Sequence, residues 1–312
     1  MEWKSFEYLL KSIIFYSLCG STVLTFITLT DKNKNSIFLK LSVYLSDIST
    51  ILFVVLLSGR WITGKYFPLS NLYESLLFLC TAILLVQKWA ERKMLSRLIS
   101  SMVLPVVLLI FRFATNVLPN EMQSIASLAP SLQSNWLMMH VSIMMVSYAS
   151  LIVGSLLSIL LLILSFKNGS RSKLSSIRTN EKRNQLIISS NLNIDNTTTI
   201  VNKPVTRSIS ELLDIWSYRL IAFGFPCLTL GIISGAVWAN QAWGSYWSWD
   251  PKESWALITW LVFATYLHSR LIKGWQGKRP AILATIGFFI VWMCYLGVNF
   301  LGQGLHSYGW LQ

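Results

Sequence analysis

ANQAWGSYWSWDPKESWALITWLVFATYLH, residues Ala239–His268, sets Trp243, Trp247, Trp249 and Trp255 close together. An Asp-Pro pair follows Trp249, and the stretch runs on as an apolar helix with a histidine near its far end. Tryptophan combines a large flat apolar surface with one N–H donor, so a cluster of it suits a boundary that is part oily and part wet. Such a cluster reads either as an aromatic belt at a membrane interface or as a landing surface for a flat macrocycle beside the membrane. The run D-P-K-E places Asp250 at the N-cap, Pro251 at the first helical position and Glu253 at the third, a strong helix start. Capping alone accounts for Asp250, and a direct role toward a ligand is compatible with it. If the tryptophan stretch is helical, Trp243 and Trp247 share a face, four residues apart, and Trp249 points elsewhere.

Outward from this stretch, the chain is too oily for a soluble domain. It has 312 residues, 54% hydrophobic and 12% charged, with a mean hydropathy of +0.54. That composition predicts an all-α integral membrane protein, a polytopic bundle of about eight transmembrane helices with an outside Trp-rich segment over 239–256. The apolar stretches run roughly over 8–29, 41–58, 69–87, 97–114, 138–166, 216–238, 253–272 and 281–301, a span needing about 20 residues. The first is read as a retained span, since no small-residue cleavage site follows it. Pro105 and Pro226 fall inside spans, and Gly231 and Gly235 form a G-x-x-x-G, a common device for close helix approach. Cys19, Cys80, Cys227 and Cys294 each sit in an apolar run without metal-ligand spacing, and read as packing residues.

The chain divides into 1–134, a four-helix membrane region; 135–166, a fifth span; 167–213, polar, basic, without aromatics and expected as a flexible loop; and 214–312, with the tryptophan segment and last three spans. Basic residues fall on alternate connections: Lys32, Lys34 and Lys40; Lys88, Arg92, Lys93 and Arg97; Lys167 to Arg207; Arg270, Lys273, Lys278 and Arg279. The positive-inside rule then puts both termini outside, in a lumen or periplasm. It also accounts for the formal charge of +13 without nucleic acid.

Three histidines occur, and their places carry information. His140 lies at the outer end of the fifth span and His306 just past the outer end of the eighth, on the same side as the tryptophan loop. Two neutral imidazoles across an aromatic platform suit six-coordinate haem iron. His268 lies seventeen residues beyond Pro251, roughly 25 Å along a helix, so it cannot share that iron. It reads either as a second intramembrane ligand, with Arg270 available to a propionate, or, with Arg270, as a marker of the inner boundary.

WGSYWSWDPKESWALITW resembles the tryptophan-rich WWD signature of haem-handling proteins. The outside histidines and FPLSNLYESL, Phe67–Leu76, narrow the resemblance to the CcsA family of plastid and cyanobacterial cytochrome c biogenesis proteins. It covers about Gly64 to Gly309. The resemblance implies that the chain acts with a CcsB-type (ResB-like) membrane partner to carry haem b across the membrane. There it would be attached to the C-x-x-C-H segment of apocytochromes c as part of a cytochrome c synthase (haem lyase) complex. It implies that His140 and His306 ligate iron outside, that His268 shares a haem with the partner, and that Trp243, Trp247, Trp249 and Asp250 lie at the haem. It also implies a thylakoid membrane location with lumenal termini. A haem exporter or chaperone without ligation activity is the alternative. No nucleophile or general base is identified, and Asn71 and Glu74 receive no chemical role.

Overall fold

The computed structural model describes residues 2–30, 37–94, 98–125, 133–186, 209–272 and 274–301. Every regular element among them is helical. The order is α1 (Glu2–Thr30), α2 (Ile37–Gly64), α3 (Leu72–Met94), α4 (Leu98–Asn116), the short α5 (Asn120–Gln123), α6 (Asn135–Leu186), α7 (Ile209–Trp243), α8 (Pro251–Leu271) and α9 (Lys278–Trp292). A π-turn (Met293–Gly297) and α10 (Val298–Leu301) close the described chain. Helices are what an apolar environment permits, because each satisfies its own backbone groups.

Seven helices, α1 to α4, α6, α7 and α9 with its extension to Phe300, are long and apolar enough to cross a membrane. The seventh expected span, 253–272, which is α8, is not among them. It has the length, 21 residues, or about 31 Å at 1.5 Å per residue, but carries Lys252 and Glu253 at one end and His268 and Arg270 at the other. It buries Ala256, Thr259, Phe263 and Tyr266, a 3-4-3 spacing that marks one packed face. Trp260 Nε1 donates to Thr229 Oγ1 on α7 at 2.9 Å.

The polar segment differs from expectation. Instead of a loop from residue 167, α6 continues as helix to Leu186, and α7 already begins at Ile209. Residues 187–208 lie outside the described residues. The reason is propagation: an established helix adds residues cheaply, and no proline interrupts before Pro204.

The α6–α7 pair is the most extensive helix contact, and α3 and α9 also pack on α6. The FPLSNLYESL segment starts α3. Asn71 Oδ1 accepts from the Glu74 amide at 2.9 Å, and Glu74 Oε2 accepts from the Ser70 amide at 2.9 Å and its hydroxyl at 2.7 Å. Asn71 Nδ2 also reaches the Met122 carbonyl, fastening α5. Buried Arg60 of α2 then bridges Glu74 at 2.9 Å and Glu7 of α1 at 2.7 Å. Both otherwise unexplained residues thus hold α1, α2, α3 and α5 together.

Candidate functional site

The α7 helix runs through the first tryptophan and stops at Trp243, because Gly244 turns into the left-handed region (φ 78°). Residues 244–250 form an irregular loop, so the shared helical face expected for Trp243 and Trp247 does not exist. Trp243 packs edge-on against Trp238 at 4.9 Å. Trp247 and Trp249 meet edge-on at 5.9 Å. Trp249 is 70% exposed and has φ 58°, which few non-glycine residues adopt.

Glu253 holds this loop in shape. Its Oε2 accepts from the Ser248 amide at 2.8 Å and the Asp250 amide at 3.3 Å. The Asp250 side chain accepts from the Lys252 amide, and Asp250 and Glu253 together form a capping box. The D-P-K-E start expected from the sequence is therefore present, with Asp250 buried in that role.

Beneath the loop lies a cavity of about 110 Å³ whose lining spans seven parts of the fold. It includes His140 of α6, Trp247 of the loop, Lys252 and Glu253 of α8, Cys294 of the π-turn and Asn299 of α10. Leu72 and Ser75 of α3 also reach it. This volume is below the roughly 300–1,000 Å³ of small-molecule pockets. A macrocycle would need room beyond this volume.

The His140 Nδ1 lies 2.6 Å from the Gly231 carbonyl oxygen of α7. That oxygen can only accept, so Nδ1 carries the proton and the lone pair of the neutral ring is on Nε2, the form that ligates metal. The G-x-x-x-G motif makes this possible. A Cβ on Gly235 would lie 2.6 Å from the His140 ring, and one on Gly231 2.5 Å from Met144 Sδ. The two glycines are thus the seats of two residues one turn apart on α6.

The inner wall is polar. Lys252 Nζ donates to Asn299 Oδ1 at 2.8 Å, and Asn299 Nδ2 donates to the Tyr295 carbonyl. The Tyr295 hydroxyl lies 2.8 Å from Ser75 Oγ, and the Tyr148 hydroxyl 3.3 Å from Cys294 Sγ. Burial lowers the Lys252 amine from 10.5 to about 8, opposed by Cys294 and Asp250. Sequence reading missed Lys252, because D-P-K-E was accounted for by capping. It also missed Asn299 and Cys294, which sit in an apolar span whose facing only tertiary packing sets.

The remaining predicted residues scatter. His306 lies outside the described residues. His268 is exposed on α8, turned away from the face that packs on the bundle. Arg270, expected to be available to a propionate, instead pairs with Asp214 of α7 at 2.8 Å and stacks over Tyr218. Asp214 also receives the Gly277 amide, which ties α7 to the connection between α8 and α9.

Comparison with known proteins agrees with this architecture. A solved structure titled cytochrome c haem lyase CcmF superposes with a TM-score of 0.59 at 18% identity over 94% of this chain, which spans 45% of that protein. This likeness establishes a common fold. Proteins named cytochrome c biogenesis protein CcsA are much nearer in sequence. The one from Pyropia yezoensis is 54% identical over 87% of this chain and 88% of its own. That from Trieres chinensis is 47% identical over 100% of both chains, and that from Synechococcus elongatus 52% identical over 84% and 85%. A family model described as cytochrome C assembly protein matches residues 69–306, from the α3 start through the tryptophan loop to the last histidine. This multi-pass membrane chain therefore belongs to the cytochrome c assembly protein family.

Proposed function

We propose that the chain carries out the haem-attachment step of c-type cytochrome maturation, by holding haem b under the tryptophan loop and presenting it to the thiols of an apocytochrome C-x-x-C-H segment. The observation that carries this reading is that His140, held in its Nδ1–H form by Gly231, shares one cavity with Trp247 and the end of the last span. His306 follows Asn299 by seven residues, a reach of up to about 25 Å of extended chain, which suits it as the second axial ligand. Bis-imidazole ligation and the indoles Trp243, Trp247 and Trp249 would fix the pose, with Asp250 holding the loop end, and most of the rate would come from positioning.

His268, exposed on α8, suits a haem whose opposite ligand comes from a CcsB-type partner. With α8 taken as an eighth crossing, the basic connections lie on one side and both termini in the lumen of a plastid or cyanobacterial thylakoid.

Absorbance of the purified partner complex tests the site. His140→Gly and His306→Gly should each lose or shift the Soret band, and added imidazole should restore it. A wild-type complex without a Soret band, or variants spectrally identical to it, would overturn the reading. Co-expression with a C-x-x-C-H apocytochrome then separates attachment, read as covalent haem, from export alone.

A further inference from the structure

The geometry points to Lys252 as the residue that receives a carboxylate of the bound macrocycle, and so decides which of its edges faces the inner wall. This rests on the reading of the cavity as a haem site and adds an orientation to it. Haem carries two propionates along one edge and two vinyl groups along the opposite edge, where the thioether bonds form. A pocket that performs attachment must keep the vinyl edge toward the incoming thiols. Flat stacking surfaces and axial imidazoles do not choose among in-plane rotations of the ring. A charge placed on one wall does.

Among the described lining residues of the cavity, Lys252 is the one lysine or arginine. Its head group is steered inward, since Nζ donates to Asn299 Oδ1 at 2.8 Å while Asn299 is itself held by the Tyr295 carbonyl at 2.9 Å. Of the acidic groups nearby, Asp250 acts electrostatically on the Lys252 amine, and both it and Glu253 also shape the loop. Glu253 accepts the loop amides of Ser248 and Asp250, and Asp250 accepts the Lys252 amide. The other facing groups named above are His140, whose Nδ1 is engaged by the Gly231 carbonyl, and the uncharged side chains Tyr148, Tyr295 and Cys294. Arg270, the other cation on α8, is paired with Asp214 eighteen residues along the helix, about 27 Å away. A charge-assisted bond from an ammonium to a carboxylate is short and strong. It also offsets the cost of burying that ammonium, which the lowered amine reflects. With a propionate at the Lys252–Asn299 wall, the vinyl edge faces away from that wall.

The test uses the full chain with its membrane partner in detergent, loaded with ferric protoporphyrin IX or its dimethyl ester, whose carboxylates are blocked. Soret titration should show wild type preferring the diacid at least tenfold over the ester. Lys252→Gln should reduce that preference to within about twofold while keeping the bis-imidazole spectrum, and Lys252→Arg should restore it. A Lys252→Gln protein that discriminates like wild type would overturn the proposal. So would a wild type that binds diacid and ester equally, a result independent of whether the variant folds. A wild type that binds neither probe would instead overturn the haem reading itself, and is thereby distinguishable.

Discussion

At the scale of single residues, a few side chains do more than one thing. Asp250 closes the tryptophan loop and opens α8 with one carboxylate. Asp250→Ala should cost about 1 kcal/mol, read as a lower melting temperature by circular dichroism in detergent; an unchanged melt would remove its capping role. Lys252 gives a pH signature. Its amine is lowered to about 8 in the fold, against 10.5 when exposed. Between those values the unfolded chain binds the proton and the folded one does not, so stability rises with pH across that window. Below about pH 8 both forms are charged, and the folded state bears the burial cost in full. The melting temperature of wild type minus that of Lys252→Met should therefore increase from pH 8 to 10.5, measured without haem. A flat difference would mean the amine is not perturbed.

At the scale of elements, the α6–α7 seam decides where the imidazole stands. Gly231 and Gly235 look alike in sequence but differ in what they accommodate. A methyl at 235 meets the stiff His140 ring, whereas one at 231 meets the flexible end of Met144. Overpacking of this kind costs about 1–3 kcal/mol when a neighbour cannot yield. Gly235→Ala should shift or abolish the Soret band of the purified complex, and Gly231→Ala should leave it largely intact. Equal effects would show that the seam does not position the histidine selectively. The loop roof obeys a related logic. Its backbone amides are gathered by Glu253, so Glu253→Ala should loosen it. Tryptophan fluorescence should red-shift and quench more readily with iodide, while Glu253→Gln retains part of the order.

At the scale of the whole molecule, the bundle is clamped at one end by a buried charge cluster. Arg60, 1% exposed, bridges Glu7 and Glu74, and its Nη1 also donates to the Gln123 carbonyl at 3.0 Å. Removing one partner of a buried cluster strands the others. Arg60→Met should therefore cost about 3–5 kcal/mol, seen as a collapse in detergent-stable yield. Adding Glu7→Gln and Glu74→Gln should recover part of it. If Arg60→Met alone is as stable as wild type, the cluster is not what joins α1, α2 and α3. Glu74 of the cluster is followed in α3 by Ser75, whose hydroxyl lies 2.8 Å from the Tyr295 hydroxyl on the inner wall.

Much of this was legible beforehand, because hydropathy, helix caps and loop charges act locally along the chain. Residue pattern alone determined an all-helical membrane bundle, the α8 start at Asp250 and the shared end of the molecule on which His140 and the tryptophan loop fall. It overstated α8 as an apolar span, since the charged ends of that helix lower its hydropathy without shortening it. It also read 167–186 as loop where a helix continues, because polarity says nothing about whether an existing helix stops. Only the folded chain decided that Arg270 belongs to Asp214, that Asn71 and Glu74 are structural, and that Lys252, Cys294 and Asn299 line the cavity beside His140. Those assignments depend on which faces of α6, α7, α8 and the last span meet. Such facing is set by side-chain shape between segments distant in the chain, which no local pattern encodes.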